Sequence, residues 1–242
     1  MNIKKVIQYQ FIDLGKPIMI YYLIILGILL LSGAIVTTMA SGTATLNGTA
    51  FSSSFFCFIA GLCMFREYFY LFFQNGVSRK TIFLGTLSSI LMGSMFMALV
   101  ETIFAYIFRM FSDNRIRYVY FLDLYPAFAG TASPGVQIIL NILLSFLALL
   151  TCFSAGYLIA TLFYRANKFF KIAIAAGLPV LIFVVFPILA YLFPEASAAC
   201  GKLLLTICGL DNGNPLYTMV TLVITISFLN IVNYFVIRKA EI

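Results

Sequence analysis

Residues 72–83 read FFQNGVSRKTIF. Two apolar runs are cut by eight residues, Gln74 to Thr81, that hold an Asn-Gly pair, a serine and two adjacent cations. Asn75-Gly76 reads as a helix stop, because glycine takes the left-handed conformation just past a helix end with no Cβ penalty. Ser78 reads as the N-cap of a following helix. The stretch therefore predicts a tight, stiff corner between two long helices, with Val77, Arg79 and Lys80 presented outward. The flanking runs decide what surrounds those helices.

Of the 242 residues, 63% are apolar and 10% charged, with a mean hydropathy of +1.07. A soluble domain has about 45–50% apolar and about 25% charged residues. The sensible solvent for this chain is a bilayer, where a helical span takes roughly 20 apolar residues. Six runs qualify: 17–40, 51–73, 82–108, 136–163, 172–193 and 216–237. The expected fold is an all-α membrane protein: one transmembrane domain over 1–242, with a six-helix bundle over 17–237. The first run begins at Pro17 and is too long for the h-region of a signal peptide, about 7–15 residues, so it is read as a span.

Cation placement sets the orientation. With the N-terminus inside, Lys4, Lys5, Lys16, Arg66, Arg79, Lys80, Arg165, Lys168, Lys171, Arg238 and Lys239 face the cytoplasm, and only Arg109, Arg115, Arg117 and Lys202 face out. This 11-to-4 division follows the positive-inside rule. Both termini are expected in the cytoplasm, with 238–242 as a short tail. The net charge of +7 is mostly this sorting and attraction to anionic lipid, and it does not suggest nucleic acid.

Ahead of the first span, Ile3, Val6, Ile7, Phe11 and Leu14 recur at helical spacing, opposite Asn2, Lys4, Lys5, Gln8 and Asp13. Residues 1–16 read as an amphipathic helix in the headgroup plane, with Gly15 and Pro17 turning the chain into the bilayer. Segment 109–135 predicts an ordered cap or a helix extension. After Pro194-Glu195, the run ASAACGKLLLTICGL is too short to span and too apolar for a free loop, so a re-entrant or interfacial element is expected between the fifth and sixth helices. Gly177, Pro179 and Pro187 are expected to bend the fifth span. Ser89–Gly93 and Gly156–Ala160 are small-xxx-small pairs that let helices approach.

Much chemistry is excluded. Zero histidines remove Ser–His and Cys–His nucleophile pairs and the common zinc sites. No GxxxxGK[ST] cradle exists, and the acids form no local intramembrane dyad. No catalytic residue, metal or cofactor is expected in this chain. Cys57, Cys63 and Cys152 read as packing residues; Cys200 and Cys208 are either free or paired outside. Asn47-Gly48-Thr49 matches a glycosylation acceptor. Inside the spans, Arg66 and Glu67 lie about 10–12 Å from the corner and Glu101 toward the outer end of the third span. All three are candidate residues of a cargo path.

The whole chain resembles the permease subunit of an ABC-2 type ABC transporter. The likeness rests on the N-terminal helix, the six spans, the outer apolar element and above all QNGVSRKTIF, which is similar to the turn in small Gram-positive permeases linked to peptide, bacteriocin or antibiotic export and immunity. The resemblance implies that Gln74, Asn75, Gly76, Val77, Ser78, Arg79, Lys80 and Thr81 contact a separate cytoplasmic ATPase, which would hold ATP and Mg. It further implies a second permease chain, identical or related, and an exporter of apolar or amphipathic cargo in a bacterial plasma membrane. A gradient-driven transporter or channel, which would show a polar stripe or inverted repeats, and a non-transporting scaffold or sensor subunit are the alternatives.

Overall fold

The computed structural model describes residues 3–38, 44–46, 49–111, 116–118, 121–125, 133–167, 171, 177, 180–207, 209–210 and 213–238. The elements are helix α1 (Ile3–Thr38), strand β1 (Ala44–Leu46), α2 (Thr49–Gln74), α3 (Arg79–Phe111), β2 (Ile116–Tyr118), a 3-10 turn (Leu122–Leu124), α4 (Pro134–Arg165), a π turn (Leu181–Val185), α5 (Phe186–Leu192), α6 (Pro194–Ile207) and α7 (Pro215–Arg238). Five stretches are long and apolar enough to cross a membrane: Ile3–Leu31, Phe51–Gln74, Arg79–Ile107, Gly135–Arg165 and Pro215–Arg238. Their outer faces carry large exposed apolar side chains such as Leu23, Leu31, Phe55, Ile139, Ile224 and Phe228, a surface that lipid covers and water would not. The chain is a multi-pass, essentially helical membrane protein.

Neighbouring helices are held by small residues and by polar pins. Between α2 and α4 the backbones touch: a Cβ on Gly61 would lie 2.4 Å from the Phe153 carbonyl oxygen, and one on Gly156 would lie 2.1 Å from that of Phe58. Between α1 and α3, the ridge Val6, Gln10, Leu14 and Ile18 fills a groove opened by Gly85, Ser89 and Gly93. In a bilayer, where apolar burial gives helices no net reason to associate, this close packing supplies much of the attraction.

Pin residues give the helix directions. Gln10 meets Thr86 and Tyr22 meets Met97, so α1 and α3 run parallel. Gly61 meets Phe153, and Phe69 meets Tyr164, so α2 and α4 run parallel. Met219 packs with Leu144, and Asn233 bonds Thr161, so α4 and α7 also run parallel. Arg165 and Pro215 therefore lie at opposite ends of the bundle, and residues 166–214 carry the chain from one end to the other. Ile3, Gln74, Arg79, Arg165 and Arg238 gather at the corner end.

One expectation needs correction. The N-terminal segment does not turn at Gly15 and Pro17, because α1 is one continuous helix with Pro17 inside it. Long-range packing overrides the local signal: the Val6–Gln10–Leu14 ridge docks on α3, and the Tyr68 hydroxyl donates to Asp13 Oδ2 at 3.1 Å. The all-α class holds; the one strand pairing among the described residues is the three-residue parallel match of β1 with β2, Ala44 opposite Ile116, at the end remote from the corner. Of the six expected spans, the described helices supply five single ones, and the bent pair of α5 and α6 is a sixth if it counts as one.

That pair bends by 118° at Phe193-Pro194. Pro187 cannot donate to a carbonyl one turn back, and the wide π turn of Leu181–Val185 lies immediately before its helix. Within segment 109–135, the described residues 121–125 pack on the bundle. Leu122 and Tyr125 are buried, the Leu122 amide meets Asn141 Oδ1 at 3.5 Å, and the Tyr125 hydroxyl bonds the Thr218 hydroxyl. Asn47, Pro179 and Cys208 lie outside the described residues.

Candidate functional site

The corner is built from backbone rules. The Gly76 amide donates to the Phe73 carbonyl at 3.0 Å and the Val77 amide to the Phe72 carbonyl at 3.0 Å, which together make a Schellman motif. Gly76 holds φ at +70°, the left-handed value this motif needs. The Asn75 side-chain amide adds a bond to the Leu71 carbonyl at 2.6 Å. One residue after Val77 the next helix starts: Ser78 Oγ accepts from the Thr81 amide at 3.3 Å, and Ile82 donates to the Ser78 carbonyl at 3.0 Å.

Side chains then fix this corner to the bundle. Val77 is not presented outward as the sequence suggested; it is buried in the main core with Phe72 and Ile82. Burying a valine at the bend removes apolar surface that would otherwise face the headgroups. Arg79 is half-buried. Its guanidinium donates to the Arg238 carbonyl at 2.9 Å and stands 5.7 Å from the centre of the Phe73 ring. A cation on the last carbonyls of a helix complements the helix dipole, so Arg79 caps α7. Phe83 and Tyr234 pack beside it with ring centres 5.6 Å apart. Gln74, Asn75, Gly76, Ser78 and Lys80 remain exposed, and Thr81 is half-buried.

Beside the corner, a cleft of about 850 Å³ lies between the C-terminal halves of α2 and α4. Leu62, Phe65, Ile159, Ala160 and Phe163 form apolar walls, Tyr70 and Tyr164 add two phenols, and Arg66 and Lys171 add two cations. No carboxylate is among the described residues that line it. Tyr70 and Tyr164 meet edge to face at 5.8 Å, and Tyr164 also touches Phe65 and Phe69, so the aromatic wall is one packed unit.

The three intramembrane polar residues do not form one path. Arg66 lines the cleft; Glu67 is exposed on a different face of α2 and is not among the lining residues. Glu101 lies about 33 Å further along α3 than Arg79. It is buried, it bonds Ser53, and its Oε1 has no hydrogen-bond partner among the described residues.

Other polar groups escaped sequence reading. Gln10 is fully buried; its amide donates to the Thr86 hydroxyl at 3.1 Å and its carbonyl accepts from Ser89 at 3.2 Å. Asn233, also fully buried, joins Thr161 at 3.1 Å and the Ser154 carbonyl at 3.4 Å. Lys171 counted in the sequence only as an inner cation. Its position at the cleft depends on two helices meeting more than ninety residues apart in sequence, which no spacing rule signals.

Comparison with family models, with characterised proteins and with solved structures gives no match in any of the three. The site is therefore read on its own geometry.

Proposed function

We propose that this chain is the membrane-spanning subunit of an ATP-driven exporter of amphipathic cargo, with the corner at 74–81 as the point where a separate cytoplasmic ATPase pushes. The observation that carries the reading is the stiffness of that corner. A Schellman stop and a serine cap fix its backbone, Val77 keys it into the core, and Arg79 ties it to the end of α7. Force applied at Lys80 and Asn75 reaches α2, α3 and α7 together, where a loose loop would absorb it.

In this reading residues 166–214 supply the fifth of six crossings, and the corner and both chain ends lie in the cytoplasm. Two permease chains and two ATPases form the working unit. Nucleotide-driven closure of the ATPases tilts α2 and α3 and switches the bundle between two packings. Cargo enters from the inner leaflet at the cleft beside Arg66, in reach of the same moving helices. ATP and Mg belong to the partner, and this chain supplies the path and the lever.

The test is reconstitution with the ATPase that copurifies under mild detergent. Lys80→Glu, on an exposed side chain, is expected to lower copurification or to leave ATP hydrolysis running without transport. Unchanged binding and coupling in that variant, or full transport by the isolated chain, refutes the reading.

A further inference from the structure

The cleft between α2 and α4 has a chemistry that the transport reading does not specify. Two cations and two phenols stand at one apolar groove, with no acid among the described residues that line it. Among the described residues Arg66 makes no ion pair; Glu67, its neighbour in sequence, projects to a different face of α2, as adjacent helical residues do. Arg66 sits about 12 Å along α2 from Gln74, at the depth where headgroups give way to acyl chains. A cleft of about 850 Å³ takes a headgroup and the first part of its tails but not a whole lipid.

The geometry points to a binding site for an anionic phospholipid of the leaflet on the corner side, its phosphate between Arg66 and Lys171 and its acyl chains along Leu62, Ile159 and Phe163. Each part of the ligand has a counterpart. Guanidinium and ammonium groups make charge-assisted hydrogen bonds to phosphate oxygens, strengthened where water is scarce. Tyr70 and Tyr164 present phenols at the same mouth, amphipathic rings suited to headgroup level. The wall below them is aliphatic and aromatic and offers chains a groove instead of a flat helix face. A zwitterionic lipid would bring its own cation next to Arg66 and Lys171, so the site selects net negative charge. The inference rests on the cleft alone and needs no motor, so it is tested on the isolated chain and can fail without touching the coupling reading.

The experiment is native mass spectrometry of the purified full-length chain, with thermal unfolding in parallel. The probes are dioleoyl phosphatidylglycerol, dioleoyl phosphatidylcholine and inorganic phosphate. Phosphatidylglycerol is expected to bind at least about tenfold tighter than phosphatidylcholine and to raise the unfolding temperature, whereas inorganic phosphate does neither. Arg66→Gln and Lys171→Gln each weaken phosphatidylglycerol binding about tenfold, and the double variant removes the preference. Both side chains are exposed, so these variants are expected to fold. Lys80→Gln and Lys202→Gln, cations away from the cleft, leave the preference intact. Equal binding of the two lipids, binding of free phosphate as strong as that of the lipid, or an equal loss in the Lys80 and Lys202 variants overturns the proposal.

Discussion

Gly156→Ala tests the seam between α2 and α4 with one methyl group. A Cβ at this position lies 2.1 Å from the Phe58 carbonyl oxygen, 3.0 Å from its carbon and 3.2 Å from the Leu62 nitrogen. All three are backbone atoms of α2, so no rotamer change relieves the clash. The helices must part locally by about 1 Å to bring the nearest contact to 3.0 Å. Parting them also loosens Gly61 against Phe153 and the Phe65–Tyr157 ring pair, which belong to the same seam. Overpacking of this kind costs about 1–3 kcal/mol, and the rigid obstacle places Gly156 at the upper end. For a chain of this length that lowers the unfolding temperature by roughly 5–10 °C. Gly27→Ala is the control: it too lies inside a helix, but nothing stands within 4 Å of its Cβ. The assay is thermal unfolding of both variants in the same mild detergent, read by loss of the monodisperse peak and by labelling of the buried Cys57. A Gly156→Ala protein as stable as the parent, or a Gly27→Ala protein equally damaged, would refute the close-contact seam.

Four further outcomes follow from the same structure. Gly76→Ala forces a side chain into φ +70° and costs about 1–2 kcal/mol, while Gly76→Asn costs less; chemical or thermal unfolding ranks the two. Arg79→Ala removes the cap on α7 and about 1 kcal/mol, read as faster hydrogen exchange in the last turn around Ile237, and Arg79→Lys restores part of it. Gln10→Ala loses its bonds to Thr86 and Ser89, but these hydroxyls keep their bonds to the Ile82 and Gly85 carbonyls, so the loss in unfolding free energy stays near 1–2 kcal/mol. Single cysteines at Lys5 and Lys80, in a background free of native thiols, react with an impermeant maleimide from one side of the membrane, and one at Ser133 reacts from the other.

What the sequence made legible was local. Asn75-Gly76 and Ser78 sit at the offsets that a helix stop and a helix start require, and the corner forms with those residues in those roles. Ser89–Gly93 was readable as an approach site because small residues four apart make a groove in any helix. The misreadings were at positions where a local signal met a distant partner. Gly15 and Pro17 signal a turn, yet α1 continues because Val6, Gln10, Leu14 and Ile18 find the α3 groove. Val77 looks like an exposed loop residue until α2 and α3 close over it. The cleft was half visible: Arg66 drew attention as an intramembrane cation, but Lys171 belongs to it only through the parallel packing of α2 and α4.

That parallel packing constrains the part of the fold the sequence left most open. An apolar contact and two hydrogen bonds, at three levels, align α4 with α7: Leu144 with Met219, Ser154 with Asn230, and Thr161 with Asn233. A reversed α7 would separate the Asn233 amide from Thr161 and the Ser154 carbonyl, and a buried amide without its partners is costly in a medium with no water to supply others. Two adjacent parallel helices require the chain between them to return the full length of the bundle. The direction of α7 relative to α4 therefore rests on a buried asparagine and its two partners, Thr161 and the Ser154 carbonyl.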